Sequence, residues 1–225
     1  MGAVPRQLAL ALAHAESFAR EDFLQGPGNA AALALIDRWP DWPSRAAVLV
    51  GPEGSGKSHL GAIWSAASGA RALSARALRD ADLPGALATG ALLVEDLAPG
   101  AFDERALFHL LNLAREEEAY LLLTARLAPP VMAVAIPDLA SRLRALPVVT
   151  LAAPDDALLH ALIVKLAADR QLTLDADLVR YVAARIERSF AAARRAVALL
   201  DEEAMRQKRP VTRVLASELL RDPAV

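Results

Sequence analysis

Residues Gly51-Pro52-Glu53-Gly54-Ser55-Gly56-Lys57-Ser58 place a lysine and a hydroxyl behind three glycines, in the order Gly, four residues, Gly, Lys, Ser. That spacing suits a polyphosphate. Glycines at 51, 54 and 56 let the backbone turn its N–H groups inward, and a following helix adds a favourable N-terminal dipole. In such a loop Lys57 reaches the β and γ phosphates, and the Ser58 hydroxyl is a candidate ligand for Mg²⁺. Pro52, Ser55 and His59 complete the candidate lining. A second constellation is Leu92-Leu93-Val94-Glu95-Asp96, an apolar run ending in two carboxylates. Acids in that position hold a magnesium shell and orient an attacking water, so Glu95 and Asp96 are candidate catalytic residues and Glu95 a candidate metal ligand. The bland alternatives are a chance Gly-rich turn and a solvated acidic turn. Their neighbouring elements decide between the readings.

Those elements alternate. Ala46 to Val50 is a short apolar strand feeding Gly51, and Lys57 to Ala67 carries Leu60, Ile63, Trp64 and Ala67 at helical spacing. Ala91 to Val94 reads as a second strand. A helix from Asp103 follows, with Leu107, Leu110, Leu111 and Ala114 on one face, and then a strand from Tyr120 to Thr124. Gly26-Pro27-Gly28-Asn29 is a turn that opens a helix at Ala30, ending near Trp39-Pro40. Buried strands alternating with amphipathic helices predict an α/β fold, a parallel sheet covered on both faces. Beyond about Ala153 the pattern is all helical. Asp155, Asp175, Ser189 and Thr212 stand where N-caps belong, ahead of apolar stripes through Leu158 to Leu166, Leu178 to Ile186 and Ala193 to Leu200. The expected division is a tail over 1–16, a nucleotide-binding α/β domain over 17–153 and a small all-α domain over 154–225.

The chain has 225 residues, 55% of them hydrophobic and 23% charged, enough apolar material for a folded core. A formal net charge of −2 argues against strong, nonspecific binding to DNA. With no cysteine, disulfides and thiol chemistry are excluded. The apolar run from Gln7 to Ala13 is too short to span a membrane, so neither a signal peptide nor a membrane span is expected, and the cytoplasm is the expected location. Arg206, Lys208, Arg209 and Arg213 form a basic cluster that reads as solvated charge at a helix end.

With the phosphate loop, the acidic pair and the helical C-terminal unit in place, the sequence resembles the AAA+ region of the bacterial replication initiator DnaA. More closely, it resembles the short DnaA-related regulators of the Hda (HdaA) family. The resemblance runs from Phe18 to about Leu220. It implies an AAA+ P-loop NTPase fold with an all-α lid and an ADP or ATP cofactor with Mg²⁺. It also implies that Phe18, Phe23, Leu24, Gly26 and Asn29 belong to a segment lying against the adenine. Pro137-Asp138-Leu139-Ala140-Ser141-Arg142-Leu143 is similar to the family's arginine-finger motif, which makes Arg142 the residue offered to a neighbouring subunit's γ-phosphate. The bland reading of Arg142 is an ion pair with Asp138 one turn earlier. Pro154-Asp155, Lys165 and Arg188-Ser189 look like parts of the lid.

The sequence also departs from that family. Glu95 stands where its first acid is usually Asp, Thr124-Ala125-Arg126 stands where a polar or acidic sensor ends the fourth strand, and Ala192 occupies the position of the lid's sensor arginine. Arg194 and Arg195 are both candidates to replace it. Weak intrinsic turnover is the expectation. No DNA-reading helix-turn-helix follows the lid, so origin binding is not expected. Gln7-Leu8-Ala9-Leu10-Ala11-Leu12 is similar to the peptide by which such regulators dock on the polymerase sliding clamp, with Gln7 in a polar subsite and Leu8, Leu10 and Leu12 supplying apolar anchors. The implied partners are the initiator DnaA and the clamp, with self-association left open. The competing readings are an autonomous AAA+ ATPase such as a helicase loader and, less favoured for want of an acceptor pocket, a small-molecule P-loop kinase.

Overall fold

The computed structural model describes residues 18–220. The Gln7–Leu12 segment therefore lies outside the described residues. Five parallel strands, β1 (Ala46–Val50), β2 (Arg71–Ser74), β3 (Ala91–Leu97), β4 (Tyr120–Ala125) and β5 (Val148–Thr150), form one sheet in the order β2-β3-β4-β1-β5. Helices α1 (Ala30–Asp37), α2 (Lys57–Ser68), α3 (Leu83–Leu87), α4 (Glu104–Glu116) and α5 (Pro137–Ala145) cover it. Strand alternation sorts the core into two layers. Val48, Val50, Leu92, Val94, Leu121 and Leu123 face the α4 side, where Leu107, Leu110, Leu111 and Ala114 are all buried. Ala47, Leu49, Leu93 and Leu122 face Leu33, Ile36, Leu60, Ile63 and Trp64 of α1 and α2.

The sequence expectations for β1, β4, α2 and α4 hold to within a residue or two. The edge strands β2 and β5 and the short helix α3 were not foreseen. They carry little local signal: β2 and β5 contain no fully buried residue, so neither shows an apolar run nor a clean alternation. The acidic strand also runs further than expected. β3 continues to Leu97 through a register shift after Val94, and Asp96 takes a left-handed φ of 60°.

After the sheet, α6 (Asp156–Asp169), α7 (Ala176–Ala183), α8 (Phe190–Gln207) and α9 (Arg213–Leu219) pack around their own apolar cluster. Each of the four anticipated caps is in place. Asp155, Asp175, Ser189 and Thr212 accept hydrogen bonds from the backbone N–H groups of Leu158, Leu178, Ala192 and Leu215. The helical unit touches the α/β unit at several points, three of them around residues 22–54. Phe190 N–H donates to the Gly54 carbonyl at 2.8 Å, Lys165 Nζ reaches Asp22 at 2.6 Å, and Leu158 packs against the turn at Gly26. No helix among the described residues is long and apolar enough to cross a membrane.

Candidate functional site

The loop 51–56 leaves the C-terminal end of β1 and enters α2, the place where parallel α/β sheets collect ligands. Its glycines are sterically required. A Cβ on Gly51 would come within 2.6 Å of the Leu151 carbonyl oxygen, and Gly54 and Gly56 have φ of +68° and +97°. The N-terminus of α2 has no side-chain cap, which leaves its first N–H groups for an anion. Lys57 is buried and donates to the carbonyls of Gly51 (2.8 Å) and Pro52 (2.7 Å). Burial lowers its pKa below the ordinary ammonium value; nearby Asp96 opposes that shift and Arg126 adds to it.

A cavity of about 280 Å³ opens over this loop. It is lined by Phe18, Phe23, Phe190 and His59 on one side and by Glu53, Lys57, Asp96 and Arg126 on the other, with Gly54, Gly56, Ser58, Ala191 and Arg194 between. The aromatic side is a built wall. Phe23 meets the His59 ring edge-on at 5.2 Å and lies nearly parallel to Phe190 at 6.5 Å, while Phe18 meets His59 edge-on at 5.3 Å. His59 contacts the Ala19 carbonyl at 3.1 Å, and burial holds its pKa below the usual imidazole value. Asn29 shapes the incoming chain, accepting from Gly26 N–H (2.8 Å) and donating to the Leu24 carbonyl (3.0 Å).

The cavity takes in some of the sequence candidates and leaves others out. Of the acidic pair, Asp96 faces the cavity and Glu95 does not line it, because the register shift after Val94 and the left-handed Asp96 turn the strand end. Asp96 is held there by its N–H, which donates to the Thr124 hydroxyl at 3.0 Å. Asp96 and Ser58 thus both line the cavity, and Glu95 does not. Leu24 packs against the helical cluster and does not line the cavity. Of the two candidate sensor arginines, Arg194 lines the cavity, 3.5 Å from His59 Nδ1, while Arg195 is exposed and outside the lining. Ala192 is buried under the Ser189 cap. Three lining residues escaped sequence reasoning: Phe190 and Ala191, whose only local signal is their place directly after a cap, and Arg126, noted only as a departure.

Arg142 is not with these residues. It sits on α5, half-buried, with its guanidinium 4.8 Å over the Phe108 ring rather than on Asp138. It borders a second cavity, of about 540 Å³, with Ser44, Arg45 and Leu121, at the end of the sheet where β1 and β4 begin. The phosphate loop leaves from the opposite end, about 13 Å away along a five-residue strand.

This fold is the one seen in AAA+ P-loop NTPases. Among solved structures with it, the chain is similar to domain III of the replication initiation protein DnaA from Thermotoga maritima, with a TM-score of 0.74 and 19% identity over 91% of this chain and 96% of that one. It is also similar to AMPPCP-bound DnaA from Aquifex aeolicus (TM-score 0.66, 18% identity, 84% and 67% covered). The Thermotoga maritima RuvB Holliday junction branch migration motor shares the fold at a TM-score of 0.63 and 16% identity, over 78% of this chain and 61% of that one. No protein-family profile and no curated protein matches the sequence.

Proposed function

We propose that this chain is a DnaA-related AAA+ regulator of the Hda type, which binds ADP or ATP with Mg²⁺ and acts on ATP held by the replication initiator DnaA. The observation that carries this reading is the placement of Arg142. A guanidinium at the sheet end opposite its own phosphate loop cannot serve that loop, but it is available to a nucleotide held by a second AAA+ subunit. There it would stabilise charge developing on the transferring phosphoryl group.

The donor set around the 280 Å³ cavity fits a nucleotide. Phe18, Phe23, Phe190 and His59 offer apolar and aromatic faces for a base. Gly51 to Gly56, the α2 N-terminus, Lys57 and Arg194 offer N–H and cationic donors for phosphates. Ser58 and Asp96 would hold Mg²⁺, which when bound neutralises charge on the terminal phosphates. In this reading residues 17–153 bind the nucleotide, residues 154–225 form its lid, and Gln7, Leu8, Leu10 and Leu12 dock the tail on the sliding clamp, so that hydrolysis by the initiator is stimulated after a fork starts and over-initiation is prevented.

A second reading, an autonomous AAA+ ATPase such as a helicase loader, is favoured by Asp96, a carboxylate already beside Lys57 and Ser58 in the cavity. Phosphate release separates the two. ATP-bound initiator, clamp-loaded DNA and this protein are mixed, with parallel reactions omitting the initiator, using Arg142→Ala, or using the Gln7→Ala/Leu10→Ala double variant. Release that requires initiator, Arg142 and the tail supports the regulator. Release that persists without initiator supports the autonomous ATPase, and full stimulation by Arg142→Ala removes the role given to that residue.

A further inference from the structure

The cavity of about 540 Å³ that Arg142 borders is larger than the one over the phosphate loop and shares no lining residue with it. It opens where the C-terminal ends of α4 and α5 meet the starts of β1 and β4. Its floor is apolar, formed by Leu111, Ala114, Ala119 and Leu121, all buried. Ala46 and Ala145 continue the lining with small side chains, so the converging elements leave open a space that protein interiors ordinarily fill. A pocket of this volume accommodates a drug-sized molecule.

The rim is cationic. Arg45, Arg115 and Arg142 line it together with one carboxylate, that of Glu118. Arg45 uses that carboxylate itself: it donates to Glu118 Oε2 at 2.9 Å and to the Glu118 carbonyl, and its guanidinium lies 5.1 Å from the centre of the Tyr120 ring. Arg115 and Arg142 have no carboxylate partner among the described residues; Arg115 is exposed and Arg142 rests on the Phe108 ring. Helix C-termini disfavour anions, but at the end of α4 the carbonyls of Leu113, Ala114 and Arg115 already accept from the N–H groups of Glu117, Ala119 and Glu118. Two guanidinium groups without counter-charges above an apolar floor match a molecule that is apolar at one end and anionic at the other.

We propose that this cavity is a second ligand site, which takes a small amphiphilic anion, an aliphatic or aromatic body carrying one carboxylate or sulfonate, with the body on the Leu111–Leu121 floor and the charge on Arg115 and Arg142. The site is independent of the nucleotide reading, since the two cavities have no residue in common. An occupant covers Arg142, so on the function proposed above it would also withdraw that guanidinium from a second subunit.

The test follows displacement of the fluorescent anion anilinonaphthalene sulfonate from the full-length protein by octanoate, by neutral octanol and by cationic octylammonium. Octanoate should displace the dye at least about tenfold more effectively than octanol, and octylammonium should not displace it. Arg115→Ala should weaken octanoate by about threefold to tenfold, and Arg115→Lys should recover part of the loss. Ala145→Phe, at an exposed position on the cavity wall, should weaken octanoate by about tenfold or more because the ring takes up the space. Arg144→Ala removes an exposed cation of the same helix that does not line the cavity, and Lys57→Ala alters the other cavity; both should bind octanoate as the parent does. Because residues 115, 144 and 145 are exposed, thermal unfolding of those variants should match the parent. Equal displacement by octanol or octylammonium, unaltered octanoate binding in Ala145→Phe, or an equal loss in Arg144→Ala or Lys57→Ala overturns the proposal.

Discussion

Gly54 is a point at which the helical unit meets the loop 51–56, and replacing it by alanine should cost more than its backbone strain. Its φ is +68°, and a Cβ there would lie 2.7 Å from Ser189 Cβ, 3.0 Å from Ser189 Oγ and 3.3 Å from Ala191 Cβ. The left-handed conformation costs an L-residue about 1–2 kcal/mol, and forcing a methyl into a filled contact adds about 1–3 kcal/mol. Gly69 supplies the control. It has nearly the same φ, +71°, caps the end of α2, and has nothing within 4 Å of an added Cβ. Gly69→Ala therefore carries the strain alone, and the reduced entropy of the unfolded chain affects both variants equally. The expected losses are about 1–2 kcal/mol for Gly69→Ala and about 2–5 kcal/mol for Gly54→Ala, the latter roughly 4–20 °C in Tm for a chain of this size.

The clash at Gly54 can be relieved only by moving the start of α8 away, which lengthens the bond from Phe190 N–H to the Gly54 carbonyl. Amide exchange at Phe190 should then accelerate in Gly54→Ala and not in Gly69→Ala, and ADP affinity should fall in the first alone because Phe190 and Arg194 retreat from the cavity. Denaturant unfolding, hydrogen exchange and ADP titration on the three proteins measure this. Equal destabilisation by the two substitutions, with Phe190 protection unchanged, would refute the claim that the helical unit is seated on Gly54.

Two further outcomes follow from the charges around the base side of the cavity. Burial holds the His59 pKa below its ordinary value of about 6.5, so the unfolded chain takes up the proton first as pH falls. Stability should be full above about pH 6.5 and decline as pH drops through the folded value, and His59→Gln should flatten that decline in unfolding curves measured from pH 5 to 7.5. Lys165 is raised, chiefly by its hydrogen bond to Asp22, and with burial opposing; its contribution is full below the ordinary lysine value near 10.4 and fades as pH climbs through the folded one. Lys165→Met should therefore remove an alkaline loss of stability, and a double-mutant cycle with Asp22→Asn should give a coupling of roughly 0.5–1 kcal/mol that weakens with salt, since both side chains remain about a quarter exposed.

What could be read in the sequence was whatever is encoded by neighbours in the chain. Gly51 to Ser58 needs only its own spacing to announce a Gly-rich loop between a strand and a helix, which is where it lies; the caps at Asp155, Asp175, Ser189 and Thr212 act on N–H groups three residues away; β1, β4, α2 and α4 repeat their burial over enough residues to fix a period. Tertiary structure decided the rest. Whether Glu95 or Asp96 faces the cavity depends on a register shift against β4 and a hydrogen bond from Thr124, neither visible in an acidic pair. Whether Arg194 or Arg195 does so depends on how α8 is rotated when Phe190 and Ser189 seat on Gly54. That Arg126 meets Glu53, and that Arg142 lies at the far end of the sheet from Lys57, are consequences of strand order, which brings together residues tens of positions apart through contacts that no local pattern records.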